Sequence, residues 1–166
     1  MFVQPSMHRE NGRVAASPWS AGGNLAAEAE QGAQLGLREP VRILVVEDDF
    51  LISMSVEDAL AHEGFEVAGV LRTAEEAIDR AGAVRPAFAI MDIRLAGVRD
   101  GVDAAIEIFR RYGIRCIFAT AHADAEIQAR ALAASPLGWL QKPYSMHALI
   151  DMARRAARAV QDGSRG

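Results

Sequence analysis

Cysteine and long apolar segments are nearly missing from the sequence. The single cysteine, Cys116, excludes a disulfide within the chain and a metal cluster built on several thiolates. No run approaches the roughly 18 apolar residues that a membrane-spanning helix needs, and the first residues lack the positive and apolar regions of a secretion signal. These absences predict a protein of the reducing cytoplasm without a membrane partner.

A net positive charge is also missing, and lysine is almost absent. The net charge of -4 at pH 7 argues against binding to a polyanion such as nucleic acid. Lys142 is the single lysine among 18 lysines and arginines. It marks a position where a compact ammonium is needed and a planar guanidinium does not fit, or it reflects chance under a compositional bias. The count alone favours neither interpretation.

The chain divides into two parts of different texture. Residues 1–40 are rich in Ala, Gly, Gln, Ser and Glu and show no sustained hydrophobic period, which predicts a disordered extension. From Val41 onward, short apolar runs alternate with amphipathic segments, as in β-α units around a parallel sheet. We assign one domain to residues 41–160 and a C-terminal tail to residues 161–166.

Five strands are predicted in this domain, and they are nearly continuous in apolar residues. Such runs are typical of parallel strands that helices cover on both faces. The predicted strands are 42–46, 66–71, 88–91, 116–119 and 139–141. The fold class is therefore α/β, with a doubly wound, five-stranded parallel sheet.

Helix signals follow the strands. The sequence Thr73-Ala74-Glu75-Glu76 is a capping box, and Asp100, Asp124 and Ser145 are predicted N-caps. Gly64 is a natural C-terminal cap for the first helix. That helix is predicted to bury Ile52, Val56, Ala59 and Leu60. The last helix is predicted to bury Met146, Leu149, Ile150, Ala153, Ala156, Ala157 and Val160.

Polar residues stand at four of the predicted strand ends. In chain order they are Glu47-Asp48-Asp49, Asp92, Thr120 and Lys142. Ligands of open α/β sheets collect at these carboxyl ends, and carboxylates that meet there repel each other unless a cation such as Mg²⁺ neutralises them. An ammonium and a hydroxyl beside such a metal suit a phosphoryl group. Each residue alone is more often a helix cap or a packed side chain, whereas the joint order predicts chemistry.

At these residues the sequence resembles the receiver domains of response regulators, over roughly residues 41–160. The resemblance implies a flavodoxin-like (βα)5 fold. The motifs that carry it are Ile43-Leu44-Val45-Val46-Glu47-Asp48-Asp49, Ile90-Met91-Asp92-Ile93-Arg94-Leu95 and Leu140-Gln141-Lys142-Pro143. A further motif, Phe118-Ala119-Thr120-Ala121-His122, resembles the Phe-Ala-Thr-Gly signature of a subclass of stand-alone receivers, with Ala121 in place of the glycine.

The resemblance implies a metal-dependent phosphoacceptor. Asp92 is the residue that it assigns to phosphorylation. Asp48 is expected to bind Mg²⁺ directly and Glu47 through water, although the alternative pair of Asp48 and Asp49 stays open. Asp92 and the backbone carbonyl of Arg94 complete the expected protein ligands.

The same resemblance assigns the remaining roles at the site. Thr120 and Lys142 are expected to bind the phosphoryl oxygens, and Trp139 is the expected aromatic switch. The Lys142–Pro143 peptide is expected to be cis, which proline makes accessible. The phosphoryl donor is a phosphohistidine on a sensor histidine kinase or a phosphotransfer protein. We expect no enzymatic activity other than self-phosphorylation and autodephosphorylation.

The resemblance also implies that two residues tune the lifetime of the phosphorylated state. Arg94 lies two residues after Asp92, and His122 lies two after Thr120. Both flank the route of the attacking water, so we expect Arg94 to slow hydrolysis and His122 to make it depend on pH between roughly 6 and 8. The alternative is that both are ordinary solvated loop residues.

The sequence departs from the family pattern after Asp92. Receivers commonly carry a proline four residues after the aspartate and a glycine eight residues after it, whereas this chain has Ala96 and, nine residues on, Gly101. The loop before the third helix is therefore expected to be unusual.

Other functional classes fit the sequence less well. A dinucleotide enzyme or a P-loop protein on the same scaffold would need glycines where Glu47-Asp48-Asp49 stand, and a haloacid-dehalogenase phosphatase would need an acid at Arg94. A binding module that has lost phosphorylation is disfavoured by Asp92, Thr120 and Lys142. No flank has the pattern of a helix-turn-helix module, so we expect no direct DNA binding and an output through a downstream protein.

Overall fold

The computed structural model describes residues 39–122 and 124–163. The predicted N-terminal extension lies outside the described residues except for its last two positions. The elements in chain order are β1 (Arg42–Val46), α1 (Phe50–His62), β2 (Glu66–Leu71), α2 (Ala74–Val84), β3 (Phe88–Asp92), α3 (Gly101–Tyr112), β4 (Arg115–Thr120), α4 (Ala125–Ala131), a short 3-10 helix (Leu132–Ala134), β5 (Gly138–Gln141) and α5 (Met146–Gly163).

One five-stranded sheet with the order β2-β1-β3-β4-β5 organises the domain, and every neighbouring pair is parallel. The predicted α/β fold is therefore confirmed. Three strands are longer than predicted, because Asp92 still pairs with Ala119, Thr120 still pairs with Gln141 and Gly138 already pairs with Ile117. These polar residues thus end regular strands and do not begin loops, so strand pairing fixes their backbone.

Helices cover both faces of the sheet, as the apolar strand pattern predicts. Leu44 and Val46 of β1 pack toward α2 and α3, whereas Ile43 and Val45 pack toward α1 and α5. Cys116 lies buried in the first of these layers, and burial raises the pKa of its thiol to about 12. The alternation along β1 leaves only the strand ends for polar chemistry.

The predicted helix caps are present. Thr73, Asp100 and Asp124 each accept a hydrogen bond from a backbone N–H in the first turn of their helix. The Ser145 hydroxyl accepts a hydrogen bond from the N–H of Ala148. Gly64, with a φ of 81°, lies in the left-handed region just after α1, where glycine is favoured.

The buried face of α1 differs slightly from the prediction. Val56 and Leu60 are buried, but Ile52 and Ala59 are only half-buried. Ser53 takes the inward position. Its hydroxyl donates to the Phe50 carbonyl, and a hydrogen-bonded hydroxyl tolerates burial.

The far end of the chain also differs from the prediction. Helix α5 continues to Gly163, into the predicted tail, whose last residues lie outside the described part. Its stripe is buried from Leu149 to Ala157, with Met146 and Val160 half-buried at the two ends. Among the described residues, no helix combines the length and the apolar character that crossing a bilayer requires.

Candidate functional site

Three carboxylates meet at the carboxyl edge of the sheet. Asp92 ends β3, and Glu47 and Asp48 follow directly after β1, which lies beside β3. One carboxylate oxygen from each of the three lies within 4.8 Å of the other two. Glu47 is 4% exposed and Asp92 is 6% exposed. Because buried negative charges at this separation repel strongly, the arrangement requires a cation.

Lys142 brings a positive charge into this cluster from the end of β5. Its Nζ lies 2.7 Å from Glu47 Oε2 and 2.7 Å from Asp92 Oδ2. Burial opposes the charge on the lysine, but the hydrogen bonds to Asp92 and Glu47 outweigh it and raise the pKa of the ammonium. Burial, reinforced by the charge of Asp92, raises the pKa of Glu47 in spite of its hydrogen bond from Lys142. The three groups therefore form one electrostatic unit.

Asp49 contacts this unit through its backbone, whose N–H donates to Glu47 Oε1 at 3.4 Å. Its side chain accepts hydrogen bonds from the N–H groups of Leu51 and Ile52 and so caps α1. The metal-competent group contains Glu47 and Asp48 together with Asp92. Of the two acidic pairs that the sequence left open, the geometry favours Glu47 and Asp48.

Thr120 and Trp139 lie on the neighbouring strands β4 and β5. The Thr120 hydroxyl is buried, donates to the His122 carbonyl at 2.8 Å and accepts from the His122 N–H at 3.2 Å. The Trp139 ring is half-buried and stacks on Phe118, with ring centroids 5.0 Å apart. His122 is an exposed residue. Both of its hydrogen bonds with Thr120 are made by its backbone.

The segment after Asp92 folds back onto its own strand end. The Arg94 N–H donates to Asp92 Oδ1 at 3.1 Å, and Arg94 itself is exposed. Gly101 begins α3, and its N–H donates to the Ile93 carbonyl at 2.8 Å. A Cβ at Gly101 would lie 1.9 Å from the Asp92 carbonyl oxygen. A side chain of any size is therefore excluded where α3 starts.

The turn after β5 agrees with the resemblance. The Lys142–Pro143 peptide is cis, and the Lys142 N–H donates to the Thr120 carbonyl at 2.8 Å. Burial raises the pKa of Tyr144, the next residue but one, to about 12. The lysine is thus fixed by strand pairing on one side and by a packed turn on the other.

Two features near the site were not predicted from the sequence. Arg72, at the end of β2, donates a hydrogen bond to the Asp48 carbonyl. The first turns of α1 expose Phe50, Leu51 and Met54, and an open groove of about 510 Å³ runs from Leu51 to Lys142. The contact of Arg72 depends on β2 lying beside β1, which the local sequence pattern does not reveal.

The domain is a parallel (βα)5 fold, and its acidic cluster could hold a metal beside a hydrogen-bonded lysine. This combination is typical of a class of signalling domains. The family model described as response regulator receiver domain matches residues 43–154. Since the match covers more than half of the chain, the chain belongs to the receiver domain family.

Relatives of known name are consistent with this family. The chain is 35% identical over 111 residues to the transcriptional regulatory protein PdtaR of Mycobacterium tuberculosis, which covers 67% of this chain and 54% of PdtaR. It is 34% identical over 96 residues to the phyllosphere-induced regulator PhyR of Methylorubrum extorquens, which covers 57% of this chain and 36% of PhyR. The chain therefore spans about half the length of PdtaR and less of PhyR.

Solved structures agree on the fold. A CheY-like response regulator receiver domain protein from Methanospirillum hungatei matches with a TM-score of 0.70 and 26% identity, over 75% of this chain and 98% of that one. The receiver domain of a modulated diguanylate cyclase from Desulfovibrio desulfuricans matches with a TM-score of 0.67 and 32% identity, over 72% and 95% of the two chains.

Proposed function

We propose that this chain is a phosphorylation-dependent receiver that takes a phosphoryl group from a phosphohistidine onto Asp92 and signals through contacts with another protein. The donor is a sensor histidine kinase or a histidine phosphotransfer protein, and the setting is the cytoplasm. Beyond its own phosphorylation and dephosphorylation, we propose no enzymatic activity and no direct DNA binding.

In the proposed reaction, an Asp92 carboxylate oxygen attacks the phosphorus. The bond between phosphorus and the imidazole nitrogen of the donor breaks, and its electron pair stays on that nitrogen. The backbone of Asp92 is held in place because β3 pairs with β1 on one side and with β4 on the other. A nucleophile that is oriented in this way faces a lower activation barrier. The Lys142 ammonium, 2.7 Å from Asp92 Oδ2, is placed to neutralise charge on the transferred oxygens.

The donor set at the edge fits Mg²⁺. Glu47, Asp48 and Asp92 supply oxygen ligands, and Mg²⁺ typically combines one or two carboxylates with phosphate oxygens and water. The backbone carbonyl of Arg94 is the further proposed ligand. When bound, the metal supplies positive charge for the phosphoryl oxygens, while Thr120 offers a hydroxyl donor and, with Trp139, changes position after phosphorylation.

The observation that carries this proposal is the single ammonium shared by two buried carboxylates. Burial of a charged pair is costly for stability, so Lys142, Glu47 and Asp92 are hard to explain as scaffold alone. A binding module without phosphorylation offers no reason to bury this cluster.

The entrance to the site offers a surface for the donor protein. Phe50 and Leu51 are 64% and 72% exposed, and the groove beside them reaches Lys142. Exposed apolar groups next to a polar site are typical of contact surfaces between proteins. They support transfer from a protein donor that covers the entrance.

The proposal is tested by incubation with acetyl phosphate and Mg²⁺, followed by intact-mass and peptide analysis. We expect one acid-stable, alkali-labile phosphoryl group on Asp92, and no modification when EDTA removes Mg²⁺ before acetyl phosphate is added. Asp92→Asn should abolish the modification without unfolding the domain. Asp79→Asn, which alters an exposed aspartate of α2, is the matched control and should be modified normally. Undiminished labelling of Asp92→Asn contradicts the assignment.

A further inference from the structure

Arg72 reaches across the edge of the sheet to the loop that carries a proposed metal ligand. It follows β2, and its Nη2 donates to the Asp48 carbonyl at 2.9 Å. Within the described part of the chain, the Asp48 carboxylate takes part in no hydrogen bond or ion pair, and Asp48 is half-buried. The position of that carboxylate therefore depends on the backbone that bears it.

The backbone of Arg72 is fixed from the opposite side by α2. Its N–H donates to Glu76 Oε2 at 3.1 Å, and the Glu76 N–H donates to Thr73 Oγ1 at 3.2 Å. This is the capping box of the sequence, with the acceptor directed to the residue before the cap. Thr73 in turn forms a β-bridge with Ala96 in the loop after Asp92. The turn of residues 72–73 thus joins the two loops that carry the acidic residues.

We infer that Arg72 is a positioning residue for the metal site, holding the Asp48 carbonyl so that the Asp48 carboxylate stays beside Glu47 and Asp92. The inference rests on the proposed function, since it concerns the proposed Mg²⁺. Partners that orient a metal ligand commonly contribute to metal affinity without touching the metal. A guanidinium also suits this task because it is rigid and always charged.

The charge of Arg72 gives the test a clear sign. As a cation near the site, Arg72 repels Mg²⁺, so removing it would strengthen binding if charge were its main effect. As an anchor for Asp48, it preorganises the ligands, so removing it would weaken binding. The two roles predict opposite changes, and Arg72 is exposed, so solvent screens the repulsion.

The experiment is calorimetric titration of the full chain with Mg²⁺. We expect Arg72→Ala to bind about three- to tenfold more weakly than wild type, at or below the usual range for such partners, and Arg72→Lys to fall in between. Arg80→Ala is the matched control, because Arg80 is also exposed and also donates to a backbone carbonyl, that of Ala68. We expect its affinity to be unchanged.

A second measurement separates positioning from damage to the fold. The rate of labelling by acetyl phosphate in Arg72→Ala should approach the wild-type rate at saturating Mg²⁺, because the substitution reduces only the affinity for Mg²⁺. A misfolded variant would stay slow at every Mg²⁺ concentration, and Arg72→Lys repeats the test with a smaller change. Equal or tighter Mg²⁺ binding by both variants overturns the inference alone. Absence of Mg²⁺ binding in wild type would instead overturn the proposed function.

Discussion

The floor and the rim of the site are built in different ways. The floor consists of Glu47, Asp92 and Lys142, which are held at strand ends and linked by two hydrogen bonds of 2.7 Å. The rim consists of Arg94 and His122, which are exposed and lie on loops. A floor with a fixed geometry can specify which reaction occurs, whereas a rim with free side chains can change how long its product lasts without disturbing the fold.

Among changes to the floor, Lys142→Arg is expected to have the largest effect on labelling. A guanidinium is too wide to occupy the position of an ammonium that contacts two carboxylates at 2.7 Å. We expect labelling by acetyl phosphate to slow by about 100-fold, the order found when a preorganised donor is lost. Arg155→Lys, on the exposed face of α5, is the control for exchange of the two cations. If Lys142→Arg reacts as fast as wild type, the scarcity of lysine is compositional.

A smaller effect is expected under the floor, at Gly101. In Gly101→Ala the new Cβ would lie 1.9 Å from the Asp92 carbonyl oxygen, so either α3 or the end of β3 must move. We expect the free energy of unfolding to fall by about 1–3 kcal/mol, as for overpacked sites. Gly163→Ala should change little, because a Cβ there meets nothing within 4 Å. Urea denaturation measures both, and equal stability of the two variants would contradict the close contact.

The smallest effects are expected at the rim. Arg94→Ala should shorten the lifetime of the phosphorylated protein a few-fold, because a long cation no longer obstructs the attacking water. His122→Ala should also change the rate of decay by a small factor, because its imidazole no longer borders the proposed route of that water. Phosphate release from the prephosphorylated protein measures both, with Arg155→Lys as the control. Unchanged decay in both variants would indicate that Arg94 and His122 are ordinary solvated loop residues.

The residues of the floor could be predicted from the sequence because the ends of the strands could be predicted. Apolar runs located β1, β3, β4 and β5, and parallel pairing necessarily brings Asp92, Thr120 and Lys142 to one edge. The sequence could not decide between Glu47 and Asp49 as the acidic partner of Asp48, because an acidic side chain after a strand serves as an N-cap or as a metal ligand. Only the hydrogen bonds of Asp49 to Leu51 and Ile52 make that distinction.

The contribution of β2 was not predictable in the same way. Arg72 is an exposed arginine in a chain rich in arginine, and nothing in its neighbours separates it from Arg80. Its contact with Asp48 depends on β2 lying beside β1, which follows from the strand order and not from local pattern. Likewise, the inward place of Ser53 depends on the exact rotation of α1, which a stripe of apolar residues defines only approximately.

The lone lysine has a practical use in labelling. Apart from the amino terminus, Lys142 is the only primary amine in this sequence. Acylating reagents attack the neutral amine, and the contacts with Asp92 and Glu47 keep this one charged by raising its pKa. An amine-reactive dye should therefore modify Lys142 slowly while both contacts exist and faster once either is broken. The rate of that modification would report the loss of the contacts between Lys142 and the two carboxylates without any engineered probe.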